Sequence, residues 1–350
     1  MSERGIHLGI LVGAIALGVW TLRHDPSPSR HVAPTAEHES PLAIVPPGSA
    51  FVLSADIAAL RRSPFGPLLV ARINGLAGED ADWSKLCDFD PLSAIDEVAL
   101  AVPSAGASTS TSTSVHDDDF GVIASGRFSA AQITRCATAA ISARGGDPVS
   151  SKLGDFSSVR DRTTEAGEIA ARDGGPLILS GGNYFRTLLD SAQGNAPKLE
   201  HQDPRDARHA ELRRVIGPGA IVATWLLGEH WFERVAGDDA GLSPLRSLEA
   251  LALRLDLGQT LHASALLSCK DATSTREIQR LLEELRASLA TIPLDPALGA
   301  LARRVTVAPQ DRRLRLELEL NEIELRALLD AIARPPALPK SHPDAQIQPR

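Results

Sequence analysis

One order of elements, written twice, limits what this chain can fold into more than any other feature. Each copy opens with Pro-Gly and an apolar strand: Pro47-Gly48 before Ala50–Ala55, and Pro218-Gly219 before Ala220–Trp225. Each opening strand leads into a short helix, beginning near Asp56 and near Gly228. A strand introduced by an acid follows in both, Asp96–Val102 and Leu248–Arg254. A third strand, Gly121–Ser125 or His262–Leu267, then runs into a longer helix.

Those longer helices correspond position by position. Ser129-x-x-Gln132 and Ser274-x-x-Glu277 are both capping-box sequences, in which the serine accepts from an orphan amide and the third residue reaches back. Behind them Ile133, Cys136, Ala137 and Ala140 match Ile278, Leu281, Leu282 and Leu285, the spacing of one buried helical face. Each copy closes with a strand and a helix: Pro176–Ser180 before Phe185–Ala192, and Leu314–Leu320 before Leu325–Ile332. Leu314, Leu316, Leu318 and Leu320 alternate with Arg and Glu, as in a strand with one wet face. The pattern predicts an α+β chain after an N-terminal transmembrane helix. Two related halves of antiparallel sheet, residues 47–195 and 215–333, carry helices packed on one side. Residues 196–214 read as a polar connector. Whether the halves share one sheet stays open.

Ahead of this body lies Gly5–Leu22, free of Asp, Glu, Lys and Arg and interrupted only by His7 and Thr21. Eighteen residues at about 1.5 Å each come close to the ~30 Å hydrocarbon layer of a bilayer. Arg4 and Arg23 flank the run, and Trp20 suits the membrane interface. A cleaved signal peptide and a buried core helix are the competing readings. The length, and an exit through Trp20-Thr21-Leu22-Arg23 without a small-x-small cleavage site, favour a transmembrane anchor. No Cys precedes Cys87, which argues against a lipoprotein. Lys and Arg counts on the two sides set no orientation. The short tail of residues 1–4 followed at once by an apolar run is the layout of a single-pass signal anchor. It predicts a bacterial inner-membrane protein with a periplasmic, extracytoplasmic body. Residues 23–46, rich in Pro, Ser and His, read as a disordered spacer, and residues 334–350 as a disordered tail.

Of 350 residues, 43% are hydrophobic and 23% charged, as in an ordinary globular protein. A net charge of −8 with no Lys/Arg cluster excludes a nucleic-acid surface. Nucleophile elbow, P-loop, dinucleotide fingerprint, H-E-x-x-H and kinase signatures are all missing, so the expectation is no enzyme and no cofactor. The most enzyme-like cluster is Glu229-His230-x-x-Glu233. His230 and Glu233 at i, i+3 on a helix are weak metal candidates, against a plainer reading as an exposed face beside core Trp231 and Phe232. His116 with Asp117, Asp118 and Asp119 reads as a solvated charge run in a Ser/Thr loop. His201, Asp203, Asp206 and His209 read as part of the connector.

Three cysteines suggest one pair and a leftover in an oxidising compartment; no C-x-x-C occurs, and the spacings are too wide for zinc. A Cys87–Cys136 disulfide would close a loop of about 50 residues, worth on the order of 4 kcal/mol in the chain-entropy model. Two separate buried thiols are the alternative, since Cys packs as a small hydrophobe. Cys269 would stay free.

The anchor, the opening strand Pro47-Gly48-x-Ala50-Phe51-Val52 with Leu60-Arg61-x-Ser63-Pro64, and Cys87-x-x-Asp90-Pro91-Leu92 together resemble a group of uncharacterised single-anchor proteins of bacteria with large GC-rich genomes. The resemblance implies an envelope location and transfers no activity or site residue. The expected function is a non-enzymatic, membrane-anchored module that binds an envelope partner or a ligand between its halves. An accessory subunit of an envelope complex is the alternative, with a hydrolase or metalloenzyme around His230 a further one.

Overall fold

Strands β1 (Ser49–Asp56) and β8 (Ile221–Leu226), each preceded by a Pro-Gly, pair antiparallel with Leu53 opposite Ala223. The rest of the sheet grows outward from that pair. The computed structural model describes residues 40–68, 87–104, 119–164, 167–181, 184–195, 204–228, 231–232, 240–291 and 296–333. Toward one side of the seam lie, in order, β2 (Ile95–Pro103), β3 (Gly121–Gly126), β7 (Leu177–Ser180), β6 (Glu168–Ala171), β5 (Phe156–Asp161) and β4 (Pro148–Leu153). Toward the other lie β9 (Leu248–Leu257), β10 (Leu261–Cys269), β12 (Arg313–Leu320) and β11 (Thr306–Gln310). The chain is thus α+β, built on one continuous antiparallel sheet of twelve strands. The outermost strands, β4 and β11, each carry a proline, Pro148 and Pro309.

The helices are α1 (Ile57–Arg62), α2 (Pro91–Ala94), α3 (Ala130–Ala143), α4 (Tyr184–Ala192), α5 (Pro204–Ile216), α6 (Ala272–Thr291), α7 (Pro296–Arg304) and α8 (Glu322–Ala333). They occupy both faces of the sheet, which corrects the expectation of helices on one side. In β6, Ala171 packs with Ala130 and Ile133 of α3, whereas its neighbour Ala170 packs with Phe185 and Leu188 of α4. In β9, Leu251 meets Ile278 and Leu282 of α6, whereas Ala250 and Ala252 meet Leu212 and Ile216 of α5. Consecutive residues of a strand point to opposite faces, so each such pair demands cover on both. Even the closing helices differ: α4 packs on the face that carries α5, and α8 packs on the face that carries α3 and α6.

Local chemistry sets the helix starts. At α3 the Ser129 hydroxyl accepts from the Gln132 amide at 3.2 Å and the Gln132 side chain accepts from the Ser129 amide at 2.9 Å, the expected capping box. The second box is replaced. Helix α6 begins at Ala272, and Asp271 caps it by accepting from the Ser274 amide at 2.8 Å, a better N-cap available three residues earlier. A further box opens α8, where Asn321 and Glu324 exchange amide-to-side-chain bonds of 3.0 and 2.9 Å.

Among the described residues no helix is long and apolar enough to cross a membrane. The expected anchor, residues 5–22, lies outside them, as do residues 23–39 of the expected spacer and the tail from residue 334. Residues 40–46, read as disordered spacer, instead contain the short turn of helix Pro41–Ile44, because Ile44 is apolar and buries itself in the core.

Candidate functional site

Because directly paired residues share a face, the register can be followed across the sheet. One row runs Leu179, Val122, Leu100, Leu53, Ala223 and Leu253 through β7, β3, β2, β1, β8 and β9. It continues into Ile169 and Val159 on one side and into Ala265, Leu316 and Val307 on the other. Eleven strands therefore contribute to a single apolar line with no charged member. The next row over the seam is Val102, Phe51, Trp225 and Leu251.

Helix α3 covers the β5–β6 end of this face, and α6, α7 and α8 cover the β9–β12 end. Bordering the strip between them are the short helices α1 and α2, which pack on β2, and Trp231 and Leu245, which pack beside Leu251. In that strip Leu53, Leu100 and Val122 are buried, while Phe51, Val102, Ile221, Trp225 and Leu253 stay partly exposed. A broad, charge-free strip astride the seam suits an apolar contact and offers no acid, base or nucleophile. The β1 and β8 edges meet directly beneath it.

The opposite face of the seam is polar at its centre. Helix α5, formed by residues that read as a connector, crosses it. Its His209 is 6% exposed; Nε2 lies 2.9 Å from the Ser49 carbonyl and Nδ1 lies 2.7 Å from the Thr224 hydroxyl. The Ser49 hydroxyl donates to the Pro46 carbonyl at 3.0 Å and stands 3.2 Å from the Tyr184 hydroxyl. Burial pushes the Tyr184 phenol up to about 12, despite that Ser49 contact, so it is neutral at physiological pH. Burial likewise lowers His209, with the Ser49 carbonyl and Asp206 opposing and Arg213 assisting. No His209 nitrogen meets the Ser49 hydroxyl, so this constellation is not a nucleophile with its base.

Of the residues singled out by sequence, Cys87 and Cys136 are disulfide-bonded with Cα atoms 4.6 Å apart, pinning α3 to the segment before β2. Cys269 is a buried free thiol whose pKa burial raises. An open hollow of about 490 Å³ lies beside the disulfide, with Phe89, Gln132, Arg135 and Ser150 among its walls. His230 and Glu233 lie outside the described residues, and so do His116, Asp117, Asp118, His201 and Asp203. Their neighbour Phe232 is buried under Arg246, whose guanidinium sits 4.7 Å from the ring centre. Among the described residues no group of three or more His, Cys, Asp or Glu could hold a metal ion. Sequence reasoning missed His209 and Arg213 because they sat in the supposed linker. The available signal was His209, Leu212 and Ile216 at i, i+3, i+7, a helical stripe with a histidine in it.

No family model matches the chain, and no curated protein does. Solved structures of the protein TP0453 give a loose likeness at 14% identity. Its crystal form III has a TM-score of 0.49 and spans 84% of this chain and 98% of that one. Crystal form IV gives 0.47, with 83% and 96% covered. Crystal form I gives 0.45, with 84% and 97% covered.

Proposed function

We propose that this chain is a membrane-tethered, extracytoplasmic binding module without enzymatic activity. In this reading an internal duplication made two related halves, whose fused sheet presents its apolar strip to an envelope partner or an apolar ligand. The observation that carries the reading is the uninterrupted apolar row through Leu53 and Ala223. Beside that row Phe51, Val102, Ile221, Trp225 and Leu253 stay partly exposed, and contiguous apolar surface is a contact site more often than an accident. The matching strand orders outward from the seam, β1-β2-β3-β7-β6 and β8-β9-β10-β12-β11, support the duplication. The Cys87–Cys136 disulfide supports an oxidising compartment for the body. The tether rests on residues 5–22 of the sequence.

The test places a photo-crosslinking phenylalanine analogue at Phe51 or Trp225 in the full-length protein, with a control at exposed Arg276 of α6. Illumination of intact cells is expected to give a discrete adduct at the two strip positions and none at Arg276. Protease added to spheroplasts should digest the body. No adduct from either strip position, or a body resistant to protease until the cells are lysed, would remove the reading.

A further inference from the structure

Helix α5 holds the two half-sheets together through two residues one turn apart, each of which touches both opening strands. His209 meets the Ser49 carbonyl of β1 and the Thr224 hydroxyl of β8. Arg213 donates to the Ser54 hydroxyl of β1 and, at 3.4 Å, to the Val222 carbonyl of β8. In this helix of thirteen residues only His209, Leu212 and Ile216 are buried. Polar bonds therefore do much of the holding that an apolar stripe does elsewhere. Beneath it lie Val222, Ala250, Ala252 and Leu266, an apolar patch that α5 keeps from water.

We infer that α5 is a pH-sensitive strap over the β1–β8 seam, seated while His209 is neutral and loosened when its imidazole takes a proton. A carbonyl only accepts, so Nε2 carries hydrogen and donates to Ser49, and Nδ1 then accepts from the Thr224 hydroxyl. A proton on Nδ1 turns that acceptor into a donor. The Thr224 hydroxyl must reverse, and its hydrogen is left with the Val52 carbonyl at 3.4 Å, a poor bond. The new charge is also buried one turn from Arg213.

The surrounding charges do not cancel it. On α5 itself Asp206 favours the imidazolium while accepting from the Gly48 amide at 3.1 Å, and Arg213 opposes it. Arg205 donates to the Ser104 hydroxyl, and Arg208 pairs with Glu211 of its own helix and Glu249 of β9. Strands β1 and β8 bring hydroxyls to this point, from Ser49, Ser54 and Thr224. Helix α4 brings Tyr184, held neutral. Strands β9 and β12 send Arg254, Arg313 and Arg315 to the far part of α5, where they bind the Ile216 carbonyl, Glu211 and the Val215 carbonyl. Burial lowers the His209 pKa, which agrees with a site built for the neutral ring.

The experiment is hydrogen–deuterium exchange of the full-length protein between pH 8 and pH 5, read as protection factors for α5 and, as an internal reference, α3. In the wild type, α5 protection should fall by up to about tenfold for each pH unit below the free-imidazole range, the limit that one proton sets. Helix α3 should hold. In His209→Gln, which keeps a donor for Ser49 but cannot titrate, α5 should be flat with pH. Wild-type α5 that stays protected at pH 5, or a variant that loosens with the same profile, overturns the inference. Should the glutamine variant fail to fold, an NMR titration of the His209 ring in the wild type replaces it. The ring should take its proton over the same pH range in which α5 loosens, and a ring that charges while α5 stays protected is equally fatal.

Discussion

Leu53 of β1 and Ala223 of β8 stand directly opposite one another at the middle of the sheet, both almost wholly buried. A carboxylate at Ala223 would be desolvated with no partner, at a cost beyond what a marginally stable fold can absorb. Ala223→Asp should abolish cooperative unfolding in urea. Leu53→Ala should instead lower stability by about 2–5 kcal/mol as a cavity. Both halves should respond in one transition, because the seam belongs to both.

Tyr184 is the only tyrosine in the chain, so the rise in absorbance at 295 nm on phenolate formation belongs to it, the four tryptophans having no group that ionises in this range. Burial holds its folded-state pKa up at about 12, above the ordinary 10. A raised pKa favours the proton-bound form in the fold. The stability it carries is complete below pH 10 and is lost as pH climbs from 10 toward 12, on the order of 3 kcal/mol. An alkaline titration should show a late phenolate transition that coincides with loss of structure. A transition near pH 10 with the fold intact would contradict the burial of this ring.

The Cys87–Cys136 bridge spans a sequence separation of 49 residues and anchors the wall of α3. Reduction, or Cys136→Ser, should cost about 4 kcal/mol in the chain-entropy model. Urea midpoints with and without reductant measure it. The thiol of Cys269, fully buried at the end of β10, should react with a thiol reagent only on unfolding.

At the helix starts, Ser129→Ala should cost about 1 kcal/mol, the usual loss of an N-cap. Asp271→Ala should weaken α6 more than Ser274→Ala does, because Asp271 supplies the accepting oxygen. Chemical denaturation of the three variants ranks them. The carboxyl of Asp271 is held below its ordinary range chiefly by the Ser274 amide. Its contribution is therefore present above that range and lost as pH falls through the lowered value.

The strands β1, β2, β3, β7, β8, β9, β10 and β12 were legible because each carries its own apolar run between turn residues, and the capping box at Ser129 marked a helix unaided. The strands β4, β5, β6 and β11 were not, being short or rich in polar residues and proline. Which face a helix covers was not legible. Helices α4 and α8 share the spacing Phe185, Leu188, Leu189 and Leu325, Leu328, Leu329, yet they pack on opposite faces. Spacing along a helix says that one side is buried and nothing about which side of the sheet receives it. A signal was present in β2, where Val98, Ala99, Leu100 and Ala101 are buried in succession, the mark of a strand covered on both faces. Helix α5 escaped notice because its buried stripe is short, Leu212 and Ile216 behind His209, in an otherwise polar stretch. The apolar row could be seen only after the pairing register was known, since its members are scattered over nearly the whole chain.

The prolines at the two outer strands reach beyond local geometry. Pro148 in β4 and Pro309 in β11 each withdraw one amide from the margin where another copy could dock edge-on. A ribbon this wide would otherwise invite end-to-end growth into a fibre. With its rims blunted, the sheet can be this wide while its backbone resists recruiting a neighbour.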